Sequence, residues 1–229
     1  PVIGIGLIYL IIVLFLYPQN FVLYFSIFIL GALLIEQEKE QKVIAIAKNP
    51  VRTFGFSLGL MIVILASIFL VYTEISRYLG SVYFYQATRA FNTEGNLEKA
   101  ILKINQATIF DPRNDFYFQN AAQAYLSRIN QIINQQTTNQ EGLQKIQEKF
   151  TSDLSVAIQL SKKAIDLNPL ESQNWLTLGQ IYEAVILLVP GGAENAISAY
   201  ENALKLEPNS PLIATAIGRS HLIFGDFLK

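Results

Sequence analysis

The chain has 229 residues, 52% of them hydrophobic and 15% charged, with a net charge of −1, one histidine and no cysteine. A near-neutral chain without a basic run lacks the electrostatic footprint of nucleic-acid binding, so no nucleic-acid partner is expected. Without cysteine it has no disulfides, thiolate nucleophiles or thiolate metal sites, and its redox compartment stays open.

The composition averages two unlike regions. Residues 1–72 carry seven charges, all within residues 36–52, whereas thirteen basic and fifteen acidic side chains are mixed through residues 73–229. Residues 2–17 are uncharged and apolar, Pro18, Gln19 and Asn20 interrupt, and residues 21–35 continue in the same manner, giving a second segment of about 20–35. Two short membrane spans joined by a tight turn are expected, because proline ends a helix and polar neighbours favour a turn. Each is slightly shorter than a hydrocarbon core of about 30 Å requires. Residues 53–72 form a third span, long enough by itself and free of charge. Gly55 and Gly59 in it make a GxxxG step, a spacing that lets helices approach closely.

Between the second and third spans, the loop at residues 36–52 holds Lys39, Lys42, Lys48 and Arg52, while the Pro18 turn holds no basic residue. The positive-inside rule puts that loop in the cytoplasm and everything after the third span outside it. Pro1 in place of methionine, and an end at Lys229 just past Gly225 and Asp226, lead to the expectation of a piece of a longer protein.

From residue 81 onward a helix-turn-helix pattern repeats. Phe84, Phe118, Trp175 and Ala214 are equivalent, and Phe84 lies 34 residues before Phe118. Asp111-Pro112, Asn168-Pro169 and Glu207-Pro208 each stop a helix, since proline drives its predecessor out of the helical region. Ala100, Ala107, Ala157, Ala164, Ala196 and Ala203 recur where paired helices must approach closely, flanked by Ile101, Ile158 and Ile197. Gly95 and Gly225 supply turns within repeats. The boundaries are 81–114, 115–171, 172–210 and an incomplete 211–229. The proline spacings of 57 and 39 residues place insertions in repeats two and three. The first prolongs both arms of a hairpin whose polar tip is residues 135–142; the second ends in Pro190-Gly191-Gly192. If the third span runs on into the helix of Phe84, the turns inside each repeat face away from the bilayer and the long hairpin projects outward; the alternative is a bend of this junction at Gly80.

Trp175, Leu178, Gly179, Tyr182, Ala196, Tyr200, Ala203, Leu206 and Pro208 resemble the tetratricopeptide signature W-x2-L-G-x2-Y, A-x3-F, P. With the apolar runs read as N-terminal transmembrane helices, the resemblance implies an all-α chain in which those helices are followed by an α-solenoid of tetratricopeptide-type helix pairs. It also implies a concave groove for a protein or peptide, lined by Tyr85, Arg89, Asn92, Gln119, Gln123, Leu176, Gln180, Glu183, Thr215 and Arg219. The amides and arginines in this set also suit a glycan. Tyr85 and Arg89 stand where chaperone-binding members keep a lysine and asparagine for a C-terminal carboxylate, so that subclass is not expected.

The order of elements resembles the C-terminal part of bacterial multi-span proteins of the O-antigen ligase and polymerase kind, some of which carry such repeats after their last span. Val189-Pro190-Gly191-Gly192-Ala193 adds to that likeness. It implies a bacterial cytoplasmic membrane, the lipid bilayer as a partner, and extracytoplasmic repeats. The competing expectation is a stand-alone membrane-tethered scaffold. The family's glycan-joining residues lie upstream, so none is carried over. No catalytic, metal or cofactor residue is expected: His221 occupies a packing position equivalent to Tyr182, and no phosphate-cradling glycine loop or nucleophile elbow is present.

Overall fold

The computed structural model describes residues 2–16, 24, 26–31, 50–134 and 140–225, and every regular element among them is helical. The helices are α1 (Val2–Leu16), α2 (Pro50–Asn92), α3 (Leu97–Phe110), α4 (Asp115–Ile133), α5 (Gln140–Leu167), α6 (Ser172–Ala184), α7 (Gly192–Leu206) and α8 (Pro211–Phe224). The chain separates into two units, Pro1–Leu65 and Ala66–Lys229, with the division inside α2. In the first unit α1 lies beside residues 26–31, where a Cβ on Gly6 would stand 3.8 Å from Leu30. The Pro18 turn and most of the basic loop lie outside the described residues. Among the described residues one helix, α2, is long and apolar enough to cross a membrane.

In the second unit, local sequence sets the helix ends. The Asn96 side chain caps α3 by accepting the Lys99 N–H at 2.9 Å, satisfying one of the donors that a helix start leaves unpaired. Ahead of each proline turn one N–H closes the last turn: Asp111 to Ala107, Asn168 to Ala164 and Glu207 to Ala203, all at 3.0 Å. Gly95, Gly191 and Gly225 have positive φ, the backbone region glycine enters without steric cost. The helix does not break at Gly80. There α2 runs on, and a Cβ would come within 3.1 Å of the Asp111 side chain and 3.3 Å of the Tyr117 ring. Gly80 therefore serves close approach of the first proline turn, not a bend.

The six alanines at the pair crossings are 0–3% exposed, which brings the paired helix axes close together. In repeat three Tyr200 is fully buried, and its ring fills the space a side chain on Gly179 would need: an added Cβ would lie 2.4 Å from it. The indole N–H of Trp175 donates to the Pro169 carbonyl at 2.9 Å, tying α6 to the turn before it.

The long hairpin of repeat two has unequal arms. Helix α4 has 19 residues and α5 has 28, against 13 to 15 in α3, α6, α7 and α8. The polar tip is shorter than residues 135–142, because α5 already begins at Gln140; residues 135–139 lie outside the described residues. The apolar spacing Leu143, Ile146, Phe150, Leu154 and Ala157 carries one continuous face down α5. Leu154 and Ala157 pack with Tyr125 and Ile129 of α4 and with Val185, so the insertion of repeat three helps to fill the hairpin's core.

One polar network crosses this core. Arg128 of α4 donates Nε to Asp153 of α5 at 2.7 Å and Nη1 to Glu98 of α3 at 2.7 Å, while Lys149 reaches Glu98 at 2.9 Å. The Arg128 and Asp153 side chains are only 13% and 4% exposed. Burial alone would lower the Arg128 pKa; the hydrogen bonds and charges of Asp153 and Glu98 together outweigh it and raise the value.

Replacing Arg128 with Ala strands a buried carboxylate and is expected to cost about 3–5 kcal/mol, measured by chemical denaturation of the full chain; Arg128→Met with Asp153→Leu should recover most of it. Gly179→Ala should cost about 1–3 kcal/mol by forcing the Tyr200 ring aside, read as a lower melting temperature.

Candidate functional site

A cleft of about 270 Å³ lies between α2 and α4. Ala100 and Ile104 of α3, each 3% exposed, form its floor, and Phe84 and Phe91 stand at its sides. Its polar lining is Thr88, Asn92, Asn120, Gln123 and Ser127, with no charged side chain among the described residues. Thr88 and Ser127 are partly self-satisfied, donating to the Phe84 and Gln123 carbonyls at 3.1 and 3.0 Å. Asn120 donates to the Phe116 carbonyl at 2.7 Å. In the repeat register Thr88 is equivalent to Gly179 and Ile104 to Tyr200. The ring that closes this space in repeat three is replaced here by a smaller side chain.

Of the residues expected to line a groove, Asn92 and Gln123 meet at this cleft. Tyr85 is 67% exposed, and Arg89 lies 3.8 Å from Glu94 with its side chain exposed. Gln180 is half-buried and Thr215 exposed, with its hydroxyl turned to the Pro211 carbonyl at 2.7 Å. Two expectations need correction. Leu176 is 4% exposed and packs on Tyr200, Ile213 and Ala216, and Gln119 is 5% exposed and donates to Thr177 at 3.1 Å. Both sit where the first helix of the following repeat packs across, so neither faces a ligand. Thr88, Asn120 and Ser127 escaped sequence reading because family positions point elsewhere; the signal was Ile104 standing in the register of Tyr200.

Glu183 and Arg219 come together, but with each other. Arg219 of α8 donates Nε and Nη2 to the Glu183 carboxylate of α6, and the Tyr200 hydroxyl of α7 donates to it at 2.5 Å. Burial alone would raise the Glu183 pKa; hydrogen bonds from Arg219 and Tyr200 outweigh it and hold the value below 4.5. Burial first, then the carboxylate partner, push the Tyr200 phenol up. His221 is half-buried in α8, and no group of three metal-ligating side chains occurs among the described residues.

No family model matches the chain, and no curated protein matches it. Among solved structures, a thermophilic tetratricopeptide protein of Thermus thermophilus aligns at a TM-score of 0.50 and 20% identity, covering 74% of this chain and 80% of that one. The fold is a tetratricopeptide solenoid. Also similar are the first such domain of human RPAP3, at TM-score 0.49, 19% identity and coverage of 66% and 95%, and the first repeat domain of Spaghetti (RPAP3) bound to an HSP90 peptide, at 0.48, 19%, 65% and 98%. At these identities the likeness concerns fold.

Because the folded Glu183 pKa is lowered, the pair's contribution to stability is complete above the ordinary 4.5 and is lost as pH falls through the lower folded value. Thermal melts of the full chain in acid should therefore show wild type losing its advantage over Arg219→Gln as Glu183 protonates. A gap that stays constant with pH would show that the pair contributes nothing.

Proposed function

We propose that the chain is a membrane-anchored tetratricopeptide module that holds an extended, uncharged segment of a protein partner in the cleft between α2 and α4. The observation that carries this reading is the lining: amides and hydroxyls above an apolar floor, with no fixed charge. Such a surface matches peptide backbone groups and small side chains, each amide contact contributing about 0.5–1.5 kcal/mol. It gives no counter-charge to an acidic C-terminal tail. A neutral glycan presents similar hydroxyl chemistry and is the competing ligand.

The anchor in this proposal is the apolar part of α2, whose side chains from Phe54 to Tyr72 are largely exposed, as a lipid-facing helix requires. The basic loop before it favours repeats outside the cytoplasm. The order of spans and repeats supports an origin in the C-terminal part of an O-antigen ligase-like or polymerase-like protein of a bacterial membrane, with the module recruiting partners to a catalytic part outside this chain.

Binding of the full chain, in lipid nanodiscs, to libraries of neutral peptides and to glycan oligomers tests the cleft. Asn92→Ala with Gln123→Ala should weaken the selected peptide about tenfold by removing two hydrogen-bonding amides. Unchanged affinity, or selection of glycans alone, would overturn the peptide reading. A reporter active only outside the cytoplasm, fused after Lys229, should be active; activity of a cytoplasmic reporter alone would reverse the topology.

A further inference from the structure

A second cleft, of about 210 Å³, lies within the Ala66–Lys229 unit between residues 69–77 of α2 and the first proline turn. Its walls are of two kinds. Phe69, Tyr72 and Ile109 bring apolar surface and are 64%, 66% and 75% exposed, an unusual concentration on one open site. Arg77, Asp111 and Arg113 bring two guanidinium groups and one carboxylate.

These charges are lightly engaged. Arg77 pairs at 3.2 Å with Glu74, both exposed, a surface pair of small worth. Arg113 has no side-chain hydrogen bond or ion pair among the described residues. Asp111 Oδ2 accepts from Asn114 at 3.3 Å, and its other oxygen has no such partner among the described residues. Guanidinium groups match phosphate oxygens in a planar, two-pronged way, and a carboxylate matches an ammonium.

We infer that this cleft holds the headgroup of an ethanolamine phospholipid. The phosphate lies with Arg77 and Arg113, the ammonium with Asp111, and the glycerol and upper acyl chains with Phe69, Tyr72 and Ile109. The inference rests on the bilayer reading proposed above: Phe69 and Tyr72 close the apolar run of residues 53–72, so the cleft opens where acyl chains give way to headgroups. Tyrosine at that depth and arginine just beyond it suit the same boundary. Two cations and one anion fit a zwitterionic headgroup better than a purely anionic one, which would leave Asp111 facing a like charge.

The test uses the full chain reconstituted in bilayers of phosphatidylcholine with phosphatidylethanolamine or phosphatidylglycerol, then released into mild detergent for native mass spectrometry. Wild type should retain one phosphatidylethanolamine, preferred about fivefold or more over the other two lipids, as a site with several charge-assisted hydrogen bonds gives. Arg77→Gln with Arg113→Gln should abolish retention, and Asp111→Asn should keep a bound lipid but level the preference between ethanolamine and choline. Equal retention of all three lipids, preference for phosphatidylglycerol, unchanged retention in the arginine double variant, or equally strong binding of free phosphoethanolamine would each overturn the assignment. Release of the chain from vesicles by alkaline carbonate would overturn the bilayer reading and the site with it. A carbonate-resistant chain without lipid preference would overturn the site alone.

Discussion

The repeat region depends on how closely the two helices of each pair approach. Ala100, Ala107, Ala157, Ala164, Ala196 and Ala203 remove side-chain bulk at the crossings and are almost wholly buried, and packing at interior density leaves no room for even one further methyl group without displacement. In repeat three the consequence is a chain of contacts. The Tyr200 ring takes the place of a side chain on Gly179, its hydroxyl reaches Glu183, and Glu183 holds Arg219 of the last helix. A steric constraint inside one pair thus sets the polar contact between that pair and α8.

The same constraint, met with other side chains, opens the candidate site. Repeat one carries Thr88 and Ile104 where repeat three carries Gly179 and Tyr200, and the unfilled space becomes a cleft with an apolar floor and amide walls. Repeat two solves a different problem. Its prolonged arms need a core of their own, supplied by Ile129, Leu154 and the inserted Val185. The Arg128–Asp153 pair crosses that core and costs desolvation, which well-formed hydrogen bonds and a guanidinium 4.9 Å above the Tyr125 ring offset.

Polar seams join repeat to repeat. The buried Asn174 side chain donates to Asp115 at 3.0 Å and to the Asn168 carbonyl at 3.1 Å, so the N-terminal ends of α4 and α6 and the turn between repeats share one donor group. Such a contact fixes the angle between neighbouring pairs, since an unmet buried amide is expensive. Solenoids transmit order from neighbour to neighbour, and here each junction has its own polar clasp: Glu98 with Arg128 between repeats one and two, Asn174 and Gln119 between two and three, Glu183 with Arg219 between three and four.

Helix ends at Asp111, Asn168 and Glu207, glycine turns at Gly95 and Gly225, the alanine positions and the uncharged run of residues 53–72 were legible in the sequence, because each follows from local backbone sterics, periodicity or composition. Whether α2 runs on through Gly80 or bends there stayed open in the sequence, since a glycine that bends a helix and one that admits a neighbour look alike until Asp111 and Tyr117 are in place. Nor were the fates of Gln119 and Leu176 legible there, as their register marks a helix face but not what covers it. Arg128 with Asp153, 25 residues apart, and Arg219 with Glu183, 36 apart, illustrate the rest. Sequence by itself determined where helices begin, end and turn apolar. Tertiary structure decided which polar groups are spent on one another and where a missing ring leaves a cleft, because both depend on volumes and charges brought together only by packing.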